Sequence, residues 1–221
     1  MIPKILHCCW FRGPKSTLAE KCLASWRRFA PDLEIREHSA AEGERSLVPA
    51  FWSDRERFRA LYRDGGVYFD VDVELVAPID RFLDREWCAG EWLPDGSVRA
   101  NPGGGIALEP RSAIAKAMLD YYDAHGLDPR HTVGEILAGI LSSPSLTPHA
   151  ANFEILPPEV FSPIDCAGRL HRTAATCGIH HYAMSWTPRW RRLLRWLCWH
   201  GAEPVLKRLI RLRHFGRTSS F

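Results

Sequence analysis

From Val67 to Leu75 the chain alternates strictly, with Val67, Phe69, Val71, Val73 and Leu75 apolar and Tyr68, Asp70, Asp72 and Glu74 between them. A period of two puts the first set on one face of a strand and the second on the other. Just upstream the period lengthens. Phe58, Leu61 and Tyr62 fall at i, i+3 and i+4, the stripe of an amphipathic helix. Ser53 and Glu56 have the spacing of a capping box, which predicts that this helix starts at Ser53. Gly65 and Gly66 supply the positive φ that ends it. The pattern therefore predicts a helix, a two-glycine turn, and one continuous strand over 67–75 with Asp70 and Asp72 on its polar face.

The remaining chain reads in the same terms. Ile2 to Trp10 is a short apolar run of the kind found in buried parallel strands. Thr17 and Glu20 form a second capping-box pair, and Leu18, Cys22 and Trp26 line one face of a helix closed by Pro31. Leu33 and Ile35 alternate with charged residues and mark the next strand. A strand, a helix and a strand at this spacing open many nucleotide-binding α/β folds. Residues 39–51 read as loop. Trp87 to Trp92 reads as a short strand followed by a turn at Pro94-Asp95-Gly96, and Ile106 to Leu108 as another apolar run. Ser112 to Tyr122 and Val133 to Leu141 read as helices. Asn152 to Pro163 reads as extended loop and edge strand, and Ile179 to Tyr182 as a last strand.

The chain has 221 residues, 46% hydrophobic and 25% charged, which suits one soluble α/β domain with a sizeable core. No run approaches the length needed to span a bilayer. The first residues lack the basic region and apolar core of a secretory signal, so a cytoplasmic location is expected. Seven cysteines without a C-x-x-C pair argue for reduced, buried thiols rather than a disulfide framework or metal cluster. The net charge of +3 conceals an asymmetry, because residues 189–221 carry +8 and residues 1–188 carry −5. In that last segment arginines alternate with Trp190, Leu193, Leu194 and Leu197 and, beyond Pro204, with Val205, Leu206, Leu209 and Ile210. Basic residues beside Trp and Leu suit an anionic membrane surface, which would place the protein peripherally on the cytoplasmic membrane. A packed terminal helix is the plain alternative. No nucleic-acid module accompanies the charge.

Two carboxylates on one face of a buried strand repel each other and lose hydration unless something offsets both costs. A divalent cation does so, and oxygen ligands suit Mg²⁺ or Mn²⁺ completed by water and phosphate. The plain alternative is a solvated strand face. Ser53, Asp54 and Arg57, at i, i+1 and i+4, can share one side of the helix's first turn, where a helix N-terminus favours an anion; a capped helix with a surface ion pair is the alternative. Arg55 and Arg59 read as solvated. His180 and His181 are adjacent on a strand, so they face opposite ways and only one can join a site. Gly103, Gly104 and Gly105 let a backbone approach a ligand closely but match no nucleotide fingerprint. An acceptor-side role and a structural one both stand open for them.

The block S-D-x-x-R-x-x-x-L-Y-x-x-G-G-x-Y-x-D-x-D, from Ser53 to Asp72, resembles the DXD glycosyltransferases of family 32, whose members include capsular polysaccharide and mannosyltransferase-like enzymes. Ile2 to Gly13 and Ile179 to Trp186 fit the same resemblance. It implies a GT-A-like (Rossmann-like) fold with a mixed central sheet over residues 1–188, followed by the basic membrane-associating segment 189–221. The implied activity is metal-dependent, retaining transfer of a hexose-type sugar from a UDP- or GDP-sugar to a glycan or lipid-linked acceptor in polysaccharide biosynthesis. By the same resemblance Trp10 stacks on the nucleotide base, and Ser53, Asp54 and Arg57 hold the donor, with Asp54 and Arg57 on sugar hydroxyls. Tyr68 belongs to the donor site, and Asp70 holds ribose or sugar and helps organise the Mn²⁺ or Mg²⁺ ion. Asp72 and His180 are metal ligands, and Ser185 and Trp186 close over the diphosphate. One rival is a haloacid-dehalogenase-like phosphatase, which departs at Glu74 where that class carries threonine. The other is a non-enzymatic peripheral membrane module, argued from the tail alone.

Overall fold

The computed structural model describes residues 1–11, 13–40, 48–127 and 130–183. Along the chain run β1 (Ile5–Cys9), α1 (Thr17–Phe29), β2 (Glu34–His38), α2 (Pro49–Asp64), β3 (Gly66–Tyr68), β4 (Val73–Leu75), β5 (Trp87–Trp92), β6 (Val98–Ala100) and β7 (Ile106–Leu108). Then come α3 (Ala113–His125), α4 (Val133–Leu141), α5 (Thr147–Ala150), β8 (Glu154–Leu156), α6 (Pro158–Phe161) and β9 (Gly178–His180). Strand β1 is flanked by β2 and β3, both parallel to it. Strand β7 runs antiparallel to β3 and β5, while β5 also pairs antiparallel with β6 and parallel with β8. These strands make one mixed seven-stranded sheet, and β4 and β9 form a separate two-stranded ribbon.

Period two sorts the strands cleanly between two cores. Leu6, Cys8, Val67, Phe69, Trp87, Ala89 and Ala107 face Leu23 and Trp26 of α1 and Val160 and Phe161 of α6. Their neighbours Cys9, Tyr68, Cys88, Ile106 and Leu108 face Trp52, Phe58 and Leu61 of α2 and the apolar stripes of α3 and α4. The sheet is thus covered on both faces, as a largely apolar set of strands requires. Among the described residues the cysteines are free, all buried except Cys166; Cys198 lies outside them. No described helix is long and apolar enough to cross a membrane.

Four local expectations are corrected, one being the extended reading of residues 152–163, where Pro158–Phe161 forms α6. Helix α1 is capped by Ser16, whose side chain accepts from the Ala19 N–H, rather than by Thr17. Helix α2 begins at Pro49, a full turn before Ser53, with Val48 as its N-cap. Proline at the first helical position forfeits only an N–H that had no partner there, and Trp52, 1% exposed, anchors the added turn in the core. Ser53 accordingly sits inside the helix, its hydroxyl donating to Ala50 O at 2.8 Å. The continuous strand over 67–75 is in fact two. Strand β3 ends at Tyr68, the chain turns with Val73 N–H donating to Asp70 O at 3.0 Å, and β4 starts in the ribbon. The alternation survives because Phe69, Val73 and Leu75 still face the same core.

The two-glycine turn behaves as expected, with φ of +65° at Gly65 and +109° at Gly66. A Cβ on Gly66 would lie 2.5 Å from Ile5 O, so only glycine lets β3 come alongside β1 here. Gly65 O accepts from His7 Nε2 at 2.9 Å, leaving His7 Nδ1 to accept from His38 Nε2 at 2.9 Å. Burial holds the His7 imidazole well down, to about 4.

Candidate functional site

The turn between β3 and β4 carries Asp70 and Asp72, and β9 runs antiparallel to β4 with His180 opposite Val73. His180 Nε2 lies 3.4 Å from Asp72 Oδ1. Asp70, Asp72 and His180 each offer one ligand atom, and the three atoms lie within 4.8 Å of one another. His181 faces the other way, with Nε2 at 2.9 Å from Glu74 Oε2. The carboxylates therefore share a site from a turn, not from one strand face. Asp72 Oδ2 accepts from Ala183 N–H at 2.7 Å. Burial opposes its charge, but His180 and that N–H outweigh burial and bring the Asp72 carboxyl down to about 2. Burial pushes Asp70 up, with Arg57 pulling against it and Asp72 adding to the rise.

Beneath the turn lies Arg57, its side chain 2% exposed. Its Nη2 reaches Asp54 Oδ1 at 2.8 Å and Asp70 Oδ1 at 3.3 Å, and its guanidinium sits 4.7 Å over the Tyr68 ring. Tyr68 donates its hydroxyl to the same Asp70 oxygen at 2.9 Å. Arg57 Nη1 is buried without a hydrogen-bond partner, an arrangement that costs stability unless a ligand completes it. Burial moves the Asp54 carboxyl up to about 6 against the pull of Arg57. The expected grouping of Ser53, Asp54 and Arg57 holds, but at the second turn of α2 and not at its N-terminus. Arg59 is exposed as expected, whereas Arg55 is half-buried.

These groups open onto a cavity of about 680 Å³, a size suited to a small-molecule ligand. Trp10, Ser53, Asp54 and Arg57 line it, as do Tyr68, Asp70, Asp72 and His180. Trp10 is half-buried at the end of β1, its indole N–H donating to Gly13 O at 2.7 Å. Ser185, Trp186 and the segment 189–221 lie outside the described residues.

The three glycines have a structural use. Gly103 O accepts from Asp70 N–H at 3.0 Å, and a Cβ on Gly103 would meet Asp70 Oδ2 at 2.5 Å. One on Gly105 would strike the Phe69 ring at 2.6 Å. None of the three lines the cavity; they let a backbone press against the aspartate turn.

Sequence reasoning missed Asn101 and Tyr182. The Asn101 amide oxygen faces Gly104 N–H at 3.2 Å, which can only donate, so the amide NH₂ points at His180 Nδ1 (3.2 Å), Tyr182 OH (3.1 Å) and Ser162 Oγ (3.1 Å). The Tyr182 ring stacks on His180 at 4.0 Å between centroids. Asn101 stands directly before the Pro-Gly-Gly-Gly run, the one local hint that it mattered.

A mixed sheet covered on both faces, with paired aspartates on a cavity wall, is consistent with a GT-A-like fold. Residues 34–89 match the family model described as a glycosyltransferase sugar-binding region containing the DXD motif. That span contains Ser53 to Asp72, the block on which the family 32 resemblance rests. No curated protein matches it by sequence. It shares its fold with the structure titled "crystal structure of a glycosyltransferase involved in the glycosylation of the major capsid of PBCV-1", at 13% identity and a TM-score of 0.57, over 85% of this chain and 97% of that one. A structure titled "PaToxG Glycosyltransferase" matches at 15% identity and a TM-score of 0.48, over 68% of this chain and 73% of that one.

The opposed histidines lead to a prediction. If the three groups hold an ion for nucleotide-sugar chemistry, His180→Ala is expected to raise the Mn²⁺ concentration needed for half-maximal hydrolysis at least about tenfold, on the scale of losing a supporting metal contact. His181→Ala leaves it within about twofold. An equal response in the two variants, read from Mn²⁺ activation curves, removes both residues from the ligand set.

Proposed function

We propose that the chain transfers a hexose-type sugar from a UDP- or GDP-sugar to a glycan or lipid-linked acceptor, using Mn²⁺ or Mg²⁺. The observation that supports this most is the convergence of Asp70, Asp72 and His180 within 4.8 Å on the wall of a nucleotide-sized cavity. Two carboxylate oxygens and one imidazole suit a hard or borderline divalent ion. An ion held there supplies Lewis-acid stabilisation of the charge that grows on a departing diphosphate. The other roles fall to the protein's own groups. Arg57 holds Asp70 and Asp54 in place beside the donor's sugar hydroxyls. Asp54 accepts from a sugar hydroxyl, and Trp10 presents an aromatic face to the base. Retention of configuration rests on the family resemblance, and proton NMR of the first-formed anomer decides it.

Hydrolysis of a panel of UDP- and GDP-sugars, with Mn²⁺ and with chelator, tests the reading. Metal-dependent release of one sugar supports it, while the absence of both binding and hydrolysis across the panel overturns it. Trp10→Ala is expected to weaken donor binding by roughly 1–3 kcal/mol, the worth of a base–aromatic stack. Unchanged affinity in a folded variant, measured by calorimetry, returns Trp10 to a structural role.

The basic, Trp- and Leu-rich segment 189–221 supports a further element of the proposal, docking at an anionic cytoplasmic membrane where a lipid-linked acceptor resides. Truncation after Thr187 is expected to release the protein from anionic liposomes while soluble donor is still hydrolysed. Cosedimentation unchanged by truncation, or equal on neutral and anionic vesicles, removes the membrane role.

A further inference from the structure

Beyond the metal-side groups, the cavity has a second polar wall that the reaction as described does not use. Glu91 on β5 and Arg99 on β6 are directly opposed partners in the antiparallel register, and both line the cavity. Arg99 Nη2 and Nε both reach Glu91 Oε1, at 2.7 and 3.2 Å, and Arg99 Nη1 reaches Glu135 Oε1 on α4 at 3.2 Å. The other carboxylate oxygen, Glu91 Oε2, accepts from Tyr182 OH at 3.2 Å. Both side chains are about four-fifths buried, at 19% and 22% exposure.

This pair is held from three sides. The short connection from Leu93 to Ser97 sets the register of β5 and β6. Helix α4 is pressed onto β6 so closely that a Cβ on Gly134 would lie 2.3 Å from Ala100 O. Tyr182 ties Glu91 to His180, on whose ring it stacks. The wall therefore stands one side chain away from the metal-side histidine, rigid and facing the same space.

We infer that Glu91 and Arg99 form a sugar-hydroxyl subsite that selects the sugar ring at the point of transfer. The chemistry is matched to a polyol. A hydroxyl donates one hydrogen bond and accepts others, and a carboxylate with unused lone pairs beside a guanidinium offers both partners at fixed spacing. A site that commits buried polar groups to hydroxyls discriminates strongly against rings that lack or invert them, because the groups are then left unpaired. The ring could belong to the donor or to the acceptor, and the inference rests on the glycosyltransferase reading of the cavity.

The experiment compares the full chain with Glu91→Gln, which keeps shape and leaves Arg99 paired to Glu135. Three quantities are read in Mn²⁺: binding of UDP and GDP; hydrolysis of UDP-glucose, UDP-galactose and GDP-mannose without acceptor; and transfer to nitrophenyl glycosides from whichever donor is used. The expected result is UDP or GDP affinity within about twofold of wild type, with either hydrolysis or transfer reduced at least about tenfold. Loss of hydrolysis assigns the subsite to the donor sugar, and loss of transfer alone assigns it to the acceptor. Glu91→Asp, which withdraws the oxygens by one methylene and keeps the charge, serves if the glutamine variant does not fold. Activities within threefold of wild type in both arms, or a parallel loss of UDP and GDP binding, overturn the subsite. A wild-type chain that binds no nucleotide and hydrolyses no donor overturns the cavity's glycosyltransferase reading, and the subsite with it.

Discussion

Asp72→Asn is expected to lower turnover at least about a hundredfold while leaving the fold intact. The asparagine keeps the shape of the side chain and still accepts from Ala183 N–H, the contact Asp72 Oδ2 makes at 2.7 Å. What it loses is the charge opposite His180 and one anionic oxygen from the group of three. Removing a single preorganised electrostatic contribution at a reacting centre costs on the order of 10²–10³ in rate. The comparison is made at saturating Mn²⁺, with thermal melting as the control for folding. Activity within a fewfold of wild type would falsify the assignment of Asp72 to the ion.

Phe161→Ala is expected to cost about 3–5 kcal/mol of stability, the range for emptying a buried aromatic site. Phe161 is fully buried and lies flat on Trp87, with ring centroids 4.9 Å apart and planes 6° apart. Phe69 and Phe82 approach it at 5.4 and 5.3 Å, and a Cβ on Gly178 would meet its ring at 2.7 Å. The ring thus supports both Phe69, next to the aspartate turn, and the strand that brings in His180. Urea unfolding measures the effect as a shift in midpoint at constant slope. A loss below about 1 kcal/mol would mean that the block collapses around the gap and is not a rigid support.

The strand at Trp87–Trp92 and the helix at Val133–Leu141 coincide with the expected spans, because periodicity is a property of adjacent residues, whereas both expected capping boxes gave way to caps at Ser16 and Val48. The two-glycine turn was legible for the same reason. The start of α2 was not, since it depends on Trp52 finding a core that no neighbouring residue reveals. The break after Tyr68 escaped because an even-numbered turn returns the chain to the same face, so alternation continues through it. At the site, Asp70, Asp72 and Arg57 announce themselves by type and spacing. Asn101, Tyr182 and Glu91 do not, because they matter only through partners on other strands, such as Asn101 with His180, far away along the chain. Sheet order belongs to the same class of information.

The ribbon of β4 and β9 also has a consequence for how the protein is made. Residues 107 positions apart, His181 and Glu74, are joined across it, whereas β1, β2 and β3 are all present within the first third of the chain. Pairing across such a separation is slow, because the closure entropy is lost before the contacts form. During synthesis the aspartate turn emerges long before its histidine, and the sheet can assemble around it first. The grouping of Asp70 and Asp72 with His180 is therefore completed late, after nearly all of the described chain has been made.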